Sequence, residues 1–325
     1  MSGLMSKLLA AVALSMAGLP MAAPAAPNEF PTAPIRYVVP APPGGLIDNM
    51  ARMVAQGIGD GLGQPLVVEN RAGGNTVIGA DNVARSASDG QTWLAVSIML
   101  AANATLQPKM PFDIRKDLVP VARLAVTPMG VAVPADSPYT TLPDLVNAAK
   151  SGKNLNFGTS GYGSPSHLGT AVLESVAGFK ATHIPYKGGA PALNDLMGKQ
   201  LDFIFVTISE AKPFITAGRL KLLAVASEKR LADFPNVPTT AEVGYPGAVM
   251  EGWTGVMAPG GTPQPIIDKI GAAVLAAASQ PAFIKRAEDM GFVMALQGPA
   301  EFNKQFYGEV DRLGKLIEQQ GIKME

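Results

Sequence analysis

Three times along the chain a β-rich apolar run passes into a short loop of glycine, proline and small polar residues, and then directly into a helix-forming segment. The junctions are VVPAPPGG (38–45), FGTSGYGSPSH (157–167) and IPYKGGAPAL (184–193). Repeated strand, tight loop and helix restrict the fold to right-handed βαβ units around mainly parallel sheets. In such open sheets ligands sit beyond the carboxyl ends of the strands, which is where these loops fall. A helix start carries unpaired backbone N–H groups and a partial positive charge. Three such starts turned toward one cleft would receive a small carboxylate without needing Arg or Lys. Glycine permits close approach of the backbone, and proline at the first helical position fixes the entry angle.

The alternation organises the chain. Strands are expected at 35–39, 65–69 and 92–98, with Ile47, Met50, Val54 and Ile58 at helical spacing and a helix over 77–87 capped by Asn75 or Thr76. The pattern restarts after residue 125: strand 130–134, helix 142–150 capped by Thr140 or Thr141, strand 155–158, helix 165–177 ended by Gly178, strand 181–185, helix 191–197 and strand 201–206. Two α/β units within 325 residues imply two lobes. Helices at 265–278, 281–290 and 299–320 follow, the last with Phe302, Phe306, Val310, Leu313 and Ile317 on one face. This tail is expected to cover the first lobe, giving a discontinuous lobe 1 (28–126 plus 230–325) and a lobe 2 (127–229). The hinges would fall in 124–129 and 226–238.

Residues 1–25 read as a signal peptide: Lys7, an apolar run over 8–19, then PMAAPAAP with Ala23 and Ala25 satisfying a cleavage site after Ala25. The run is too short to span a bilayer. The absence of cysteine excludes a lipoprotein anchor, disulfides and thiol catalysis. Lys+Arg and Asp+Glu balance at 26 each and aromatic content is 6%, which argues against a nucleic-acid surface.

Catalytic signatures are missing. Gly158 to Gly163 do not spell G-x-G-x-x-G, no P-loop occurs, and neither Ser160 nor Ser164 stands in G-x-S-x-G, with no histidine after His183. Two histidines without H-E-x-x-H do not make a zinc site, and no cofactor is implied. Asp48, in the first turn of the first helix, reads as a carboxylate that orders the loop through backbone N–H bonds. Ser164 followed by Pro165 is an N-cap, and its loop offers the hydroxyls of Thr159, Ser160 and Ser166 as well. His167 and His183 read as hydrogen-bonded structural residues, and Lys187 either pairs with a carboxylate or stays solvated.

At this point the chain resembles the periplasmic receptors of tripartite tricarboxylate transporters, the Bug family. The resemblance runs through PIRYVVPAPPGGLIDNMAR (34–52), QPLVVENRAGGNTVIGADNVARSASDGQTWL (64–94), MPFDIRKDLVPVARLA (110–125), GYGSPSHLG (161–169), HIPYKGGAPALNDLMGKQLDFIF (183–205), GRLKLLAVASEKR (218–230), FPNVPTTAEVGYPG (234–247) and WTGVMAPGGTP (253–263). It implies a two-lobed type II periplasmic-binding-protein (Venus-flytrap) α/β fold closing on a carboxylated solute, without catalysis. It also implies a periplasmic monomer that delivers its ligand to inner-membrane permease subunits. Carried over by motif, the ligand-binding residues are Pro43, Gly44, Gly45, Ser160, Gly163, Ser164, His167, Tyr186, Lys187, Gly188, Gly189 and Ala190, with Ser97 and Asp202 added as strand-end residues facing the cleft. Departures are Leu46 and Ile47 after the Gly-Gly pair, Tyr162 where Asn is common, and Gln91-Thr92-Trp93 where Tyr-Thr-Leu is usual. The added apolar bulk favours an aromatic or long aliphatic dicarboxylate over citrate. Two other readings remain: an extracytoplasmic sensor subunit, and an exported enzyme using Ser164, His167 and Asp202.

Overall fold

In chain order the elements are β1 (Ile35–Val39), α1 (Leu46–Ile58), β2 (Leu66–Asn70), α2 (Val77–Ala84), β3 (Thr92–Ser97), α3 (Ile98–Leu106), β4 (Leu118–Thr127), β5 (Met129–Pro134), α4 (Leu142–Lys150), β6 (Asn156–Thr159) and α5 (Pro165–Ala177). They continue with β7 (Thr182–Pro185), α6 (Gly189–Met197), β8 (Phe203–Thr207), α7 (Ile208–Thr216), β9 (Leu220–Val225), β10 (Gly252–Pro259), α8 (Gln264–Ala278), α9 (Pro281–Asp289), β11 (Val293–Gln297) and α10 (Pro299–Gln320). This computed structural model describes residues 30–107, 109–186 and 188–323, so the expected signal peptide lies outside the described residues. Among the described residues no helix is long and apolar enough to cross a membrane.

The strands form two sheets, ordered β11-β4-β10-β3-β1-β2 and β7-β6-β8-β5-β9. In the first, β1 is parallel to β2 and β3, while β10 is antiparallel to β3 and β4, and β11 to β4. Following these pairings, β1 to β4 run one way and β10 and β11 the other. In the second, β6 is parallel to β7 and β8, and β5 opposes β8 and β9. The expected two-lobed α/β architecture is present, but each sheet is mixed.

The reversed strands have a topological cause. β4 leaves the first sheet at Thr127, and β5 begins at Met129 beside Thr207, the last residue of β8. β9 leaves the second sheet at Val225, and β10 begins at Gly252 beside Thr127. Both crossings therefore join the carboxyl edge of one sheet to the carboxyl edge of the other. A strand entering from that edge must run backwards.

Helix ends follow local chemistry where it is strong. Thr141 and Asp144 form a reciprocal capping box on α4, with proline in its first turn. Ser164 caps α5, and Gly178 closes it with φ 67°. Proline opens α10 and Gly321 ends it. Among the elements outside the sequence pattern (α3, β4, α7, β9, β10 and β11), the helices α3 and α7 have no side-chain cap at their starts. α3 and α7 follow their strands with no loop at all, and Pro213 sits inside α7. β10 carries Gly255, where a Cβ would lie 2.6 Å from the Ala122 carbonyl and 2.8 Å from Phe302. α10 packs on α3 and β4, burying Phe302, Phe306, Val310, Leu313 and Ile317. Phe302 and Phe306 meet Trp253 edge-on at 5.5 and 6.0 Å.

Candidate functional site

Because both crossings join carboxyl edges, every loop that follows a strand of the main direction opens on the seam between the sheets. These are the loops after β1, β2 and β3 on one side and after β6, β7 and β8 on the other. The seam is narrow in places. Gly163, with φ 66°, would put a Cβ 2.7 Å from Leu106 at the end of α3, so the second sheet's loop abuts the first sheet's helix.

On the first sheet's side, Pro43, Gly44 and Gly45 form an exposed loop with Gly44 at φ 85°. Asp48 braces it. Its Oδ2 accepts from the Gly44 N–H at 2.8 Å and from Arg52 Nε at 2.9 Å, and its Oδ1 accepts from Asn70 Nδ2 at 2.8 Å. Asn70 Nδ2 also donates to the Ala41 carbonyl at 3.0 Å. Burial pushes the Asp48 carboxyl up, but the Arg52, Gly44 and Asn70 bonds outweigh it and hold the group below the usual carboxylate range. The Gly44 N–H is thus spent on loop order. No side chain caps α1, which starts after Gly45. Ser97 ends β3 on the same edge and precedes α3, also without a side-chain cap.

The loop after β2 belongs to this edge; its Asn75 or Thr76 was expected to cap the next helix, but Thr76 precedes α2 with no side-chain cap bond and the helix ends at Ala84. Asn75 and Thr76 have φ 51° and 80°, a strained conformation for a β-branched residue. The fully buried Asn103 of α3 holds them: Asn75 Nδ2 donates to its Oδ1 at 2.9 Å, and its Nδ2 donates to the Asn75 carbonyl. The signal available in sequence was the run Gly73-Gly74-Asn75.

On the second sheet's side the loop after β6 is largely self-satisfied. Ser160 N–H donates to Ser166 Oγ at 3.0 Å, and Gly163 N–H to His167 Nδ1 at 3.0 Å. Ser164 Oγ donates to the Gly161 carbonyl at 2.7 Å and accepts from His167 N–H at 3.3 Å. His167 is buried and stacks on His183 with centroids 4.1 Å apart, and His183 Nε2 meets Thr159 Oγ1 at 2.7 Å. Burial, with a smaller contribution from the charge of His183, lowers the His167 pKa to about 4. The ring is therefore neutral, and Nδ1 accepts. This loop is a rigid wall more than the bank of free donors its composition suggests.

The next two helix starts carry no side-chain cap. Gly188, with φ 113°, precedes α6, and no side chain caps Gly189 or Ala190. Thr207 precedes α7, also without a side-chain cap, but the Ile208 N–H donates to the Pro128 carbonyl at 2.9 Å, leaving only the later first-turn donors. Tyr186 holds its hydroxyl on Asp195 Oδ2 at 2.6 Å; burial and that bond push its pKa up to about 12. Lys187 lies outside the described residues. Over the start of α6 stands Glu210, its two carboxylate oxygens 3.0 and 3.2 Å from where a Cβ would project at Gly189. Thr207 Oγ1 donates to Glu210 Oε2 at 2.6 Å.

Asp202 requires a correction. It precedes β8 and pairs with Asn156, the first residue of β6: its N–H donates to the Asn156 carbonyl at 2.9 Å and its Oδ2 accepts from the Asn156 N–H at 2.8 Å. That is the amino edge of the sheet, about 10 Å of strand from the seam. The other expected residues that are described lie at strand ends or loops on the carboxyl edges. Among the described residues no cluster of His, Cys, Asp and Glu could hold a metal ion.

What the arrangement can do chemically is grip an anion by main-chain groups at uncapped helix starts on both sides of one seam. Protein BugT of Bordetella pertussis is 34% identical over 324 residues, covering 99% of each chain. An R. palustris protein solved with adipate is 30% identical, with TM-score 0.77, covering 91% of this chain and 100% of that one. MatC from Rhodopseudomonas palustris with bound malate is 31% identical, with TM-score 0.73, covering 89% of this chain and 100% of its own. The family model TctC, described as the tripartite tricarboxylate transporter family receptor, matches residues 50–322. A match of that extent, on a fold whose two carboxyl edges share one seam, makes this chain a member of the TctC receptor family.

Proposed function

We propose that the protein is a periplasmic receptor that captures a small di- or tricarboxylate between its two lobes and hands it to a tripartite tricarboxylate-type permease. The observation that carries this reading is the set of uncapped helix starts, α1 and α3 from one sheet and α6 and α7 from the other, on facing carboxyl edges. A carboxylate at each end of the ligand would take N–H groups from one side, so both lobes gain contacts only when drawn together. Pro128 and the 226–251 connection are the places about which lobes 28–126 plus 230–325 and 127–229 would turn. Leu46 and Ile47 are half-buried at the first loop and Tyr162 is 36% exposed at the second, which suits an aliphatic or aromatic spacer between carboxylates. Relatives solved with adipate and malate fit that class.

An exported enzyme has little support. Ser164 is engaged as a cap, His167 Nδ1 is occupied by Gly163, and Asp202 sits at the far edge of the sheet. Isothermal calorimetry of the mature protein against adipate, malate, succinate, citrate and an aromatic dicarboxylate tests the proposal. We expect saturable one-to-one binding of at least one acid, with the radius of gyration falling on saturation. The ligand should be recovered chemically unchanged. Silence across the panel, or recovery of a converted product, overturns it.

A further inference from the structure

Glycine stands where segments of the two sheets press on each other. At Gly163 an added Cβ would meet only the Leu106 side chain, nearest at its Cδ1 tip, and at Gly247, in the second crossing, only the methyl groups of Val176 at 3.1 and 3.7 Å. Side-chain ends of that kind can turn aside. Gly291 differs. A Cβ there would lie 2.3 Å from Ser209 Cβ and 3.2 Å from Ser209 Cα, so the obstacle includes the backbone of α7 itself.

Gly291 also has a local duty. It ends α9 as a left-handed residue with φ 82°: the Phe292 N–H donates to the Ala287 carbonyl at 3.0 Å, and its own N–H to that of Glu288 at 2.9 Å. That duty asks for glycine or asparagine and says nothing of Ser209. The position of the contact does. Gly291 leads into β11, whose first residue, Val293, pairs with Val126 at the carboxyl end of β4. Ser209 lies two residues past the end of β8, next to Ile208, whose N–H is held by the Pro128 carbonyl. The two residues therefore meet across facing carboxyl edges, beside the first crossing. Closing the seam drives these edges together, and opening it parts them.

We propose that Gly291 is a positioning residue for ligand capture: its missing side chain lets the turn between α9 and β11 bear directly on Ser209 when the seam closes, without touching the ligand. The inference rests on the two-lobed capture proposed above. A methyl group at 291 would have to stand about 1 Å farther from Ser209 Cβ to reach an ordinary contact of 3.4 Å. Ligand hydrogen bonds of about 2.9 Å from one of the two sheets would then be stretched beyond useful length, leaving the acid gripped on one side.

Calorimetry of the mature protein with the tightest-binding acid of the panel gives Kd for wild type, Gly291→Ala, Ser209→Gly and the double variant. Gly291→Ala should raise Kd at least about tenfold, the scale of one lost hydrogen bond to a charged group. The fall in radius of gyration on saturation should shrink with it. Ser209→Gly removes the opposing Cβ, so in that background the same substitution should raise Kd by less than about threefold. A role confined to the end of α9 would cost the same in both backgrounds, because left-handed strain at 291 does not depend on Ser209. Should Gly291→Ala not fold, Gly291→Asn adds the same Cβ in a residue that tolerates left-handed φ, and should show the same loss, again relieved by Ser209→Gly. An unchanged Kd in the folded variant, or an equal loss in both backgrounds, overturns the proposal and leaves the capture reading standing. A wild-type protein that binds no acid of the panel overturns the capture reading, and this inference with it.

Discussion

Replacing Glu210 by Gln should tighten binding of a dicarboxylate. The Glu210 oxygens stand 3.0 and 3.2 Å from the Cβ direction of Gly189, over the helix start that we assign to a ligand carboxylate. A carboxylate accepting from the first N–H groups of α6 at ordinary hydrogen-bond length would lie roughly 5 Å from the Glu210 carboxylate. Like charges at that separation repel by about 0.8 kcal/mol in bulk water and about 3 kcal/mol at the effective dielectric of a protein surface. Glu210 is exposed, which places the penalty near the lower part of that interval, about 1–2 kcal/mol, or roughly 5- to 30-fold in Kd. Gln keeps an oxygen to accept from Thr207 Oγ1, so the loop should hold its shape. Calorimetric titration of wild type and Glu210→Gln with the same acid measures the difference directly. The gain should shrink as ionic strength rises, since the repulsion is screened within about 10 Å at 0.1 M salt. Equal or weaker binding by the variant, or a gain indifferent to salt, would refute the placement of ligand charge at α6.

Further expectations follow from the geometry. Ser164→Ala removes the α5 cap and the bond to the Gly161 carbonyl, and should cost about 1–2 kcal/mol in denaturant unfolding while weakening ligand binding through a looser wall. The folded pKa of His167, about 4, lies below the ordinary 6.5, so the unfolded chain takes up the proton first. Its contribution is complete above pH 6.5 and is lost as pH falls toward 4, by about 2–3 kcal/mol after allowing for partial screening; a pH series of unfolding midpoints should lose this slope in His167→Gln. Phe302→Ala empties the contact between α10, Trp253 and Phe306 and should cost about 3–5 kcal/mol, read as a lowered urea midpoint.

Much of the fold was legible because local chemistry punctuates it. The bounds of α4, α5 and α10 are written in Thr141 with Asp144, in Ser164-Pro165 with Gly178, and in Pro299 with Gly321. Where the boundary depends on tertiary partners, the sequence is silent. α3 and α7 begin on the residue after a strand, and β10 is a strand only because Gly252 and Gly255 let it lie close between β3 and β4. The reversal of β5 and β10 is likewise a property of where the chain crosses, not of what those residues prefer.

The site was half legible for the same reason. Gly44, Gly45, Gly188 and Gly189 announce loops at strand ends. Nothing in GTSGYGSPSH reveals that Ser166 and His167 consume the donors of Ser160 and Gly163, because that depends on side-chain direction. Asp202 was misplaced although the expected strand 201–206 already set it at the amino end, opposite the carboxyl-end loops where a ligand would sit. Glu210 and the α7 start went unnoticed because no glycine or proline introduces them.

The central claim is that backbone amides at helix starts on both carboxyl edges, in place of cationic side chains, hold the ligand. A crystal structure of the mature protein with the tightest-binding acid of the panel tests it most directly. The account predicts carboxylate oxygens within hydrogen-bond reach of first-turn N–H groups of α1 or α3 on one side and of α6 or α7 on the other. A ligand gripped by Arg or Lys side chains, or seated on one sheet alone, would contradict it.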